Sequence, residues 1–423
     1  MARVLIRDVR LVDPEGSEAP GSLVMEGGLI ADLLPPRPEG TFDEVVEGAG
    51  RHLAPGIVDW GVKVCEPGER HKESFRSAGA AAAAGGVTTI VTRADTDPSV
   101  DSPETLEFVA RRAGAESVVR VRPMAALTKA REGREMTEVG FLGDAGAVAF
   151  GDGPRAVRDA RVFARALTYA RGLGALVVSH VQDPDLSAGA AATAGPFATL
   201  RGLPHVSPLA ERIGLERDLA LVEMTGARLH ADQVTTAAAL PALLRAREAG
   251  LDVTAGVSVH HTALNDLDLA DYRSFFKLTP PLRAEADRVA VAEALASGLI
   301  DVLCSQHTPQ DEESKRLPFE AAAPGAVGLE TLLPASLRLV HGSTLSLPRL
   351  FAALSLNPSR RLGLPTGRLR RGAPADLVLF DAHAPFVLDR WALRSKAKNT
   401  PFDGARLQGR VLGTWVAGAR VHA

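Results

Sequence analysis

The middle of the sequence alternates between short apolar runs and longer amphipathic stretches, and this alternation strongly limits how the chain can fold. The runs that qualify as strands are "GIVDWGVKV", "VTTIVTRA", "VVRVRPMA", "AVAFGDG", "ALVVSHVQ", "ARLHADQV", "DVTAGVSV" and "IDVLCSQH". The stretches between them carry helical spacing, as in "AVRDARVFARALTYARGLG". Eight alternating strand and helix units predict an α/β fold of the (β/α)8 TIM-barrel type.

Both ends of the chain show a different pattern, in which short β-like segments are separated by Gly and Pro. Examples are "VLIRDVRLVD" and "GSLVMEGGLIADL" near the start, and "ADLVLFD" and "GRVLGTWVAGARV" near the end. We therefore expect a small β-sandwich domain formed by residues 1–52 and 366–423. A barrel of residues 53–365 would lie beside it.

Charge and cysteine content exclude several function classes. The formal net charge is −3, so no basic field favours nucleic acid or an anionic membrane. The two cysteines, Cys65 and Cys304, cannot form a disulfide framework and suit a reducing compartment. No apolar run is long enough to cross a bilayer, and the start lacks a signal-peptide core. These features predict a cytoplasmic protein, and they leave open whether it forms a homo-oligomer.

A set of short motifs occurs in a characteristic order along the chain. The motifs are "PGIVD", "EPGERHKESF", "AAAAGGVTT", "SHVQDP", "HHTALND", "PPLR", "GAVGLET", "LNPSR" and "NTPFDG". In order and spacing they resemble the dihydroorotase family of the amidohydrolase superfamily, and the resemblance covers nearly the whole chain. It implies a metal-dependent barrel that interconverts carbamoyl aspartate and dihydroorotate in de novo pyrimidine (UMP) biosynthesis. That chemistry needs a metal to activate water, a carboxylate to move the proton and a cation to hold the substrate's carboxylate.

The resemblance assigns metal-ligand positions, and several of them have lost their ligand. The first-strand His-x-His positions hold Gly61, which has no side chain, and Lys63, an ammonium with no lone pair. The second histidine of the sixth-strand motif is Gln233, a poor zinc ligand. Only His180, on the fifth strand, matches a ligand of the family without change. Asp152 lies in a fourth-strand motif that is one residue shorter than the motif of the family. We therefore expect no bound metal, with zinc as the cofactor of an alternative rebuilt site.

The catalytic and substrate positions have changed as well. The catalytic aspartate of the family corresponds to Gln306, and an amide cannot act as a general base near pH 7. Cys65 replaces the arginine that grips the substrate, and Asp95 and Thr279 replace two asparagines. With His307, these residues are the remnants of a substrate pocket.

Three expectations about side-chain placement follow. Lys63 should pair with Asp152 or another inward carboxylate and fill the former metal pocket, because a buried charge needs a partner. Asp232 should point away from the barrel mouth if its strand is regular and Gln233 points inward. The histidines near strand ends should lie in the mouth, either as a rearranged metal site or as a metal-free polar cleft; they are His180, His230, His260, His261 and His307.

Three functions are compatible with this pattern. The first is a non-catalytic dihydroorotase homologue that serves as an assembly partner of aspartate carbamoyltransferase, since the frame motifs are intact while the chemistry-bearing positions have changed together. The second is an active amidohydrolase that hydrolyses a cyclic amide such as dihydroorotate, with a rebuilt site of His180, His230 and Asp152. The third is a metabolite-binding module that uses the barrel mouth.

Overall fold

The computed structural model describes residues 3–269 and 271–423 of the chain. The strands are β1 (Arg3–Val12), β2 (Glu18–Glu26), β3 (Leu29–Leu34), β4 (Glu44–Glu47), β5 (His52–Pro55), β6 (Ile57–Val62), β7 (Val87–Thr92), β8 (Arg120–Pro123), β9 (Leu176–His180), β10 (Ala192–Thr193), β11 (His205–Val206), β12 (Arg228–Asp232), β13 (Val253–Ser258), β14 (Val302–Cys304), β15 (Leu377–Val387), β16 (Arg406–Val416) and β17 (Ala419–His422).

The α-helices alternate with the central strands. They are α1 (Phe75–Ala84), α2 (Pro103–Glu116), α3 (Val139–Asp144), α4 (Ala160–Gly172), α5 (Pro196–Arg201), α6 (Leu209–Thr225), α7 (Leu240–Glu248), α8 (Val259–Ala263), α9 (Glu285–Ser297), α10 (Glu312–Arg316), α11 (Leu332–His341), α12 (Leu347–Phe351) and α13 (Asn357–Leu362). A π-helical turn, Ala352–Leu356, joins α12 to α13. Within residues 3–269 and 271–423, every helix is too short or too polar to cross a membrane.

The central strands form two parallel sheets that meet edge to edge. Strands β6, β7 and β8 make one sheet, and β9, β12, β13 and β14 make the other. Phe150 joins them through parallel bridges to Ala125 and Val177. At the other junction, the backbone amide of Ser305 donates to the Asp59 carboxylate over 2.7 Å. The arrangement is an α/β fold of TIM-barrel type. The predicted strand "AVAFGDG" lies between the two sheets and hydrogen-bonds to both: the Phe150 amide donates to the carbonyl of Leu176 and the Gly151 amide to that of Ala125, each over 2.9 Å.

A tight apolar cluster fills the space enclosed by these strands. Its buried members are Val58, Trp60, Val91, Met124, Ala149, Leu176, Val302 and Cys304. Trp60 is the largest, and its ring meets the imidazole of His230 edge-on with 4.3 Å between centroids. Strand β6 is bulged after Asp59, and Gly61 has a φ of +71°, a conformation that favours glycine. The bulge places Gly61 directly above this apolar floor, at the carboxyl ends of the strands, which we call the barrel mouth.

The two ends of the chain form a sheet, as expected, and its strands are joined in one hydrogen-bonded series. Its order is β17-β16-β15-β5-β1-β2-β3, with β4 beside β1. Strand β5 pairs in parallel with β1 and antiparallel with β15, and so joins the two ends. The sheet has a separate apolar core that includes Leu23, Leu53 and Trp415. The boundary predicted at residues 52 and 53 falls inside β5, and the division into domains stays a prediction.

Candidate functional site

The side chain of Gln306 covers the first-strand position that the family uses for a metal ligand. A β-carbon added to Gly61 would lie 2.5 Å from Gln306 Nε2 and 2.6 Å from both Cδ and Oε1. Real β-carbons essentially never approach other atoms this closely. The amide of Gln306 therefore occupies the space that any side chain at position 61 would need.

Gln306 belongs to a buried polar cluster with Asp232, Arg93 and Asp95, which we call the mouth cluster. Gln306 Nε2 donates to Asp232 Oδ1 over 2.7 Å. Arg93 donates to both oxygens of Asp95, over 3.0 and 2.9 Å, and reaches Gln306 Oε1 at 3.5 Å. The expectation that Asp232 points away from the mouth is wrong. Residues two apart on a strand share a face, so Asp232 lies on the same side of β12 as the inward His230.

The electrostatics of the mouth are set by burial. Burial raises the pKa of Asp232 to about 6, although Arg93 and the hydrogen bond from Gln306 lower it. Below it, burial raises the pKa of Asp59 to about 7 against the hydrogen bonds from Ser305. The cavity lined by Arg93, Asp232 and their neighbours measures about 10 Å³, roughly the space that one water requires. The centre of the mouth is thus filled by protein side chains.

Lys63 does form an ion pair, but with a residue at the rim. Its Nζ lies 2.8 Å from Glu69 Oε2, in the loop that follows β6, and Lys72 contacts the same carboxylate. Burial opposes ionisation of Glu69, yet the hydrogen bonds from Lys63 and Lys72 lower its pKa to about 2. Of the expected partners, Asp152 is wrong, and the carboxylate that pairs with Lys63 is Glu69.

The carboxylate of Asp152 accepts hydrogen bonds from a neighbouring turn and not from Lys63. Oδ1 accepts from the backbone amides of Leu127 and Thr128, both at 3.0 Å, and Oδ2 accepts from the Thr128 hydroxyl at 2.5 Å. Burial raises the pKa of Asp152, and these hydrogen bonds oppose the rise. Asp152 therefore anchors the turn after β8.

The two histidines proposed for a rebuilt site have different surroundings. His180 ends β9, and burial together with Arg283 and Arg93 lowers its pKa to about 4, so the ring is neutral at pH 7. His230 lies within β12, and its Nδ1 is 2.9 Å from the Thr254 hydroxyl. The His230 ring also contacts Trp60 of the apolar cluster, and so it packs below the mouth.

The remaining predicted site residues have structural contacts. Gln233 Nε2 donates to the carbonyl of Thr279 over 3.3 Å. Cys65 is buried, and burial raises the pKa of its thiol to about 12. His307 is buried, with Nε2 3.4 Å from Glu73 and Nδ1 accepting from the Gly328 amide at 3.1 Å.

Two further histidines were expected in the mouth, and both lie in the short helix α8. His260 stacks on Phe402 with 5.7 Å between centroids. His261 Nδ1 lies 2.8 Å from the Ser258 hydroxyl, and its Nε2 lies 3.1 Å from the carbonyl of Pro280. These contacts are those of packing residues and not of residues that converge on a ligand.

A zinc ion does not fit these residues. A catalytic zinc site needs about three nitrogen, sulfur or oxygen ligands converging within roughly 2.0–2.3 Å of one point. Across residues 3–269 and 271–423, no three His, Cys, Asp or Glu side chains group in this way. The Gln306 amide stands over Gly61, and the carboxylate of Asp152 is already bonded.

Sequence reasoning missed Arg93 and the inward direction of Asp232. The available signal for Arg93 was its place two residues before Asp95 in "TRADT", at the end of β7. A charged side chain that is buried at a strand end needs a partner of opposite charge, and the nearby Asp95 is such a partner.

Comparisons with known proteins identify the family. The profile of dihydro-orotase-like proteins matches residues 50–263. A dihydroorotase of Anaeromyxobacter dehalogenans strain 2CP-C is 39% identical over 99% of this chain and 98% of its own length. A dihydroorotase-like protein of Pseudomonas putida is 38% identical over 99% of both chains.

Solved structures support the same fold. The L-hydantoinase (dihydropyrimidinase) of Arthrobacter aurescens aligns with a TM-score of 0.90 and 24% identity, over 100% of this chain and 96% of that one. The dihydropyrimidinase of Brevibacillus agri NCHU1002 aligns with a TM-score of 0.85 and 21% identity, over 99% and 95%. With the sequence relatives, the predicted family is confirmed: the chain belongs to the dihydroorotase-like family of the amidohydrolase superfamily.

Proposed function

We propose that this chain is a non-catalytic member of its family, which acts in de novo pyrimidine (UMP) biosynthesis as a structural partner of aspartate carbamoyltransferase. The observation that carries the proposal is the contact between Gln306 and Gly61. The residue at the family's general-base position is an amide, and it covers a position that the family uses for a metal ligand.

The surroundings of Gln306 support the loss of proton transfer. An amide is too weak a base to accept a proton near pH 7, and the Gln306 amide donates to Asp232. The cation in the mouth, Arg93, is bidentate to Asp95, so its charge is already paired within the protein. Neither group is free to hold a substrate carboxylate or to take a proton from a reacting water.

The retained motifs have structural roles, which supports selection for the fold. Arg283 of "PPLR" is buried, lies 3.2 Å from Glu211 and donates to the Thr235 hydroxyl over 3.0 Å. Asn399 of "NTPF" donates to the carbonyls of Thr308 and Gly325 over 3.1 and 3.0 Å. These contacts fasten loops around the mouth and need no chemistry there.

The test is assembly with the aspartate carbamoyltransferase of the same organism. We expect the two chains to co-purify and the transferase to be more active, or to form a larger oligomer, when this chain is present. Gln306→Ala should leave the effect intact, because the role does not depend on mouth chemistry. Unchanged transferase activity together with no complex would refute the proposal. The proposal includes a cytoplasmic location for the chain, and it is compatible with a homo-oligomer.

The second candidate is an active cyclic amidohydrolase, and the similarity to proteins named dihydroorotase favours it. That similarity extends over 99% of this chain at 39% identity. Asp232, whose pKa burial raises to about 6, is a carboxyl group at the mouth that can exchange protons near neutral pH. A zinc held by His180, His230 and Asp152 would require those side chains to rearrange. Hydrolysis of dihydroorotate that is lost in Asp232→Asn would favour this candidate over the first.

A further inference from the structure

A large cleft opens beside the filled centre of the mouth, and arginines dominate its walls. Its volume is about 590 Å³, within the range of small-molecule sites. The charged side chains that line it are Arg131, Arg134, Arg155, Arg158 and Glu132. Because the whole chain has a formal net charge of −3, this cleft is a local concentration of positive charge. We call it the arginine cleft.

The four arginines of the cleft differ in their acidic partners. Arg158 is paired with Asp185, and Arg134 lies 3.8 Å from Glu132. For Arg131 and Arg155, no carboxylate comes within 4 Å in the part of the chain that the structure describes. Arg155 Nη1 donates to the backbone carbonyl of Arg131 over 3.4 Å, which keeps the two residues adjacent.

The protein holds the Arg131 guanidinium in place by neutral contacts. Its Nε donates to the Ser99 hydroxyl over 3.1 Å, and its Nη1 donates to the carbonyl of Asp152 over 3.4 Å. The turn before it is fixed by a hydrogen bond from the Ala130 amide to Asp101 over 2.7 Å. Burial and Arg155 lower the pKa of Arg131, while Asp95 and Asp152 raise it. The repulsion between the two arginines is therefore partly offset within the protein, and a bound anion would offset it further.

His180 supplies a neutral polar group on the wall of the same cleft. Its side chain is 6% exposed and lines the cavity. Among residues 3–269 and 271–423, neither of its ring nitrogens has a hydrogen-bond partner. The ring nitrogens of His180 are therefore available to water or to a ligand in the cleft.

We propose that the arginine cleft binds a small organic anion, whose carboxylate or phosphate group pairs with Arg131 and Arg155 while a neutral polar part meets His180. Paired arginines bind either oxyanion through charge-assisted hydrogen bonds, so the two ligand classes share one chemistry. The inference goes beyond the proposed function and does not rest on it, since the cleft can bind an anion whether or not the chain is catalytic.

The test is calorimetric titration of the full chain at low ionic strength. The probes are inorganic phosphate and malonate, with malonamide as a neutral analogue of malonate. We expect one saturable site per chain for at least one anion, no heat of binding for malonamide, and at least tenfold weaker binding in 0.5 M NaCl. The anion that binds more tightly identifies the ligand class.

Variants assign the binding to the cleft. Arg155→Ala and, independently, Arg131→Gln should each weaken the dissociation constant for the preferred anion at least tenfold. Arg371→Ala is the matched control, because it removes an exposed guanidinium from the C-terminal segment, and it should change binding by less than twofold. Absence of saturable binding by either anion would overturn the inference. Equal binding by wild type and by either folded cleft variant would overturn it as well.

Discussion

The side-chain amide of Gln306 lies so close above the α-carbon of Gly61 that a β-carbon at position 61 would be 2.5 Å from Gln306 Nε2. The two substitutions relative to the family pattern are therefore linked by packing. Gln306 can occupy its position only because residue 61 has no side chain. The centre of the mouth is packed with these side chains.

Gly61→Ala should destabilise the protein. Alanine is disfavoured at the φ of +71° that Gly61 adopts, and the new methyl group would displace the end of the flexible Gln306 side chain. We expect the free energy of unfolding to fall by about 1–2 kcal/mol in a urea titration. Gly114→Ala is the control, because Gly114 lies inside α2 with open space around it, and it should stabilise by about 0.5–1 kcal/mol. Equal effects of the two substitutions would contradict the packing described for the mouth.

Arg283→Met should be among the most damaging single substitutions. Arg283 is 2% exposed and pairs with the fully buried Glu211, which would be left as an uncompensated charge. The expected loss of unfolding free energy is about 3–5 kcal/mol. Arg158→Met breaks an exposed pair with Asp185 and should cost no more than about 1 kcal/mol. Thermal or urea unfolding of both variants checks the contrast, and a small effect of Arg283→Met would show that the buried network is not needed for folding.

The pairing of Lys63 with Glu69 predicts a measurable but modest coupling. A double-mutant cycle of Lys63→Met and Glu69→Gln should give about 0.5–1 kcal/mol at pH 7 and low salt. The folded-state pKa of Glu69 is about 2, below its ordinary value of 4.5. The coupling should therefore be complete above about pH 5 and disappear as the pH falls toward 2. Coupling that is absent at pH 7 would show that Lys63 has another role.

Asp232→Asn should change how stability depends on pH. Because the folded-state pKa of Asp232, about 6, lies above its ordinary value of 3.8, the folded protein binds the extra proton between these values. The contribution of Asp232 to stability therefore becomes more unfavourable as the pH rises from about 4 to 6. The unfolding free energy of Asp232→Asn relative to wild type should increase by about 1 kcal/mol between pH 5 and pH 8. Parallel pH profiles for the two proteins would place the pKa of Asp232 near its ordinary value.

Much of the fold could be predicted from the sequence, because periodicity is a local property. The alternation of strands and helices indicated the TIM-barrel type, and the β-like ends indicated a terminal sheet. The strand predicted around Phe150 hydrogen-bonds to the strands on both sides of it. It ends at Gly151, and Asp152 then accepts hydrogen bonds from Leu127 and Thr128 at the neighbouring strand end.

The site was harder to predict, because its contacts join residues far apart in sequence. The difference of Gly61 and Gln233 from the family pattern could be read from residue identities alone. The direction of Asp232 could not, since it depended on which residues of β12 face the barrel. The partner of Lys63 is Glu69, six residues away in the loop after β6. The sequence thus showed which residue types differ from the family pattern, and the structure was needed to show what those residues contact.

The most direct test of the central claim is a combined measurement of metal content and ring chemistry on the purified chain. After incubation with zinc and gel filtration, zinc per chain is measured by plasma mass spectrometry, and dihydroorotate hydrolysis and carbamoyl aspartate cyclisation are assayed. Asp232→Asn and Gln306→Ala, prepared identically, control for contaminating host enzyme. The account predicts far less than one zinc per chain and no turnover above these variants. About one zinc per chain, with turnover that is lost in Asp232→Asn, would contradict it.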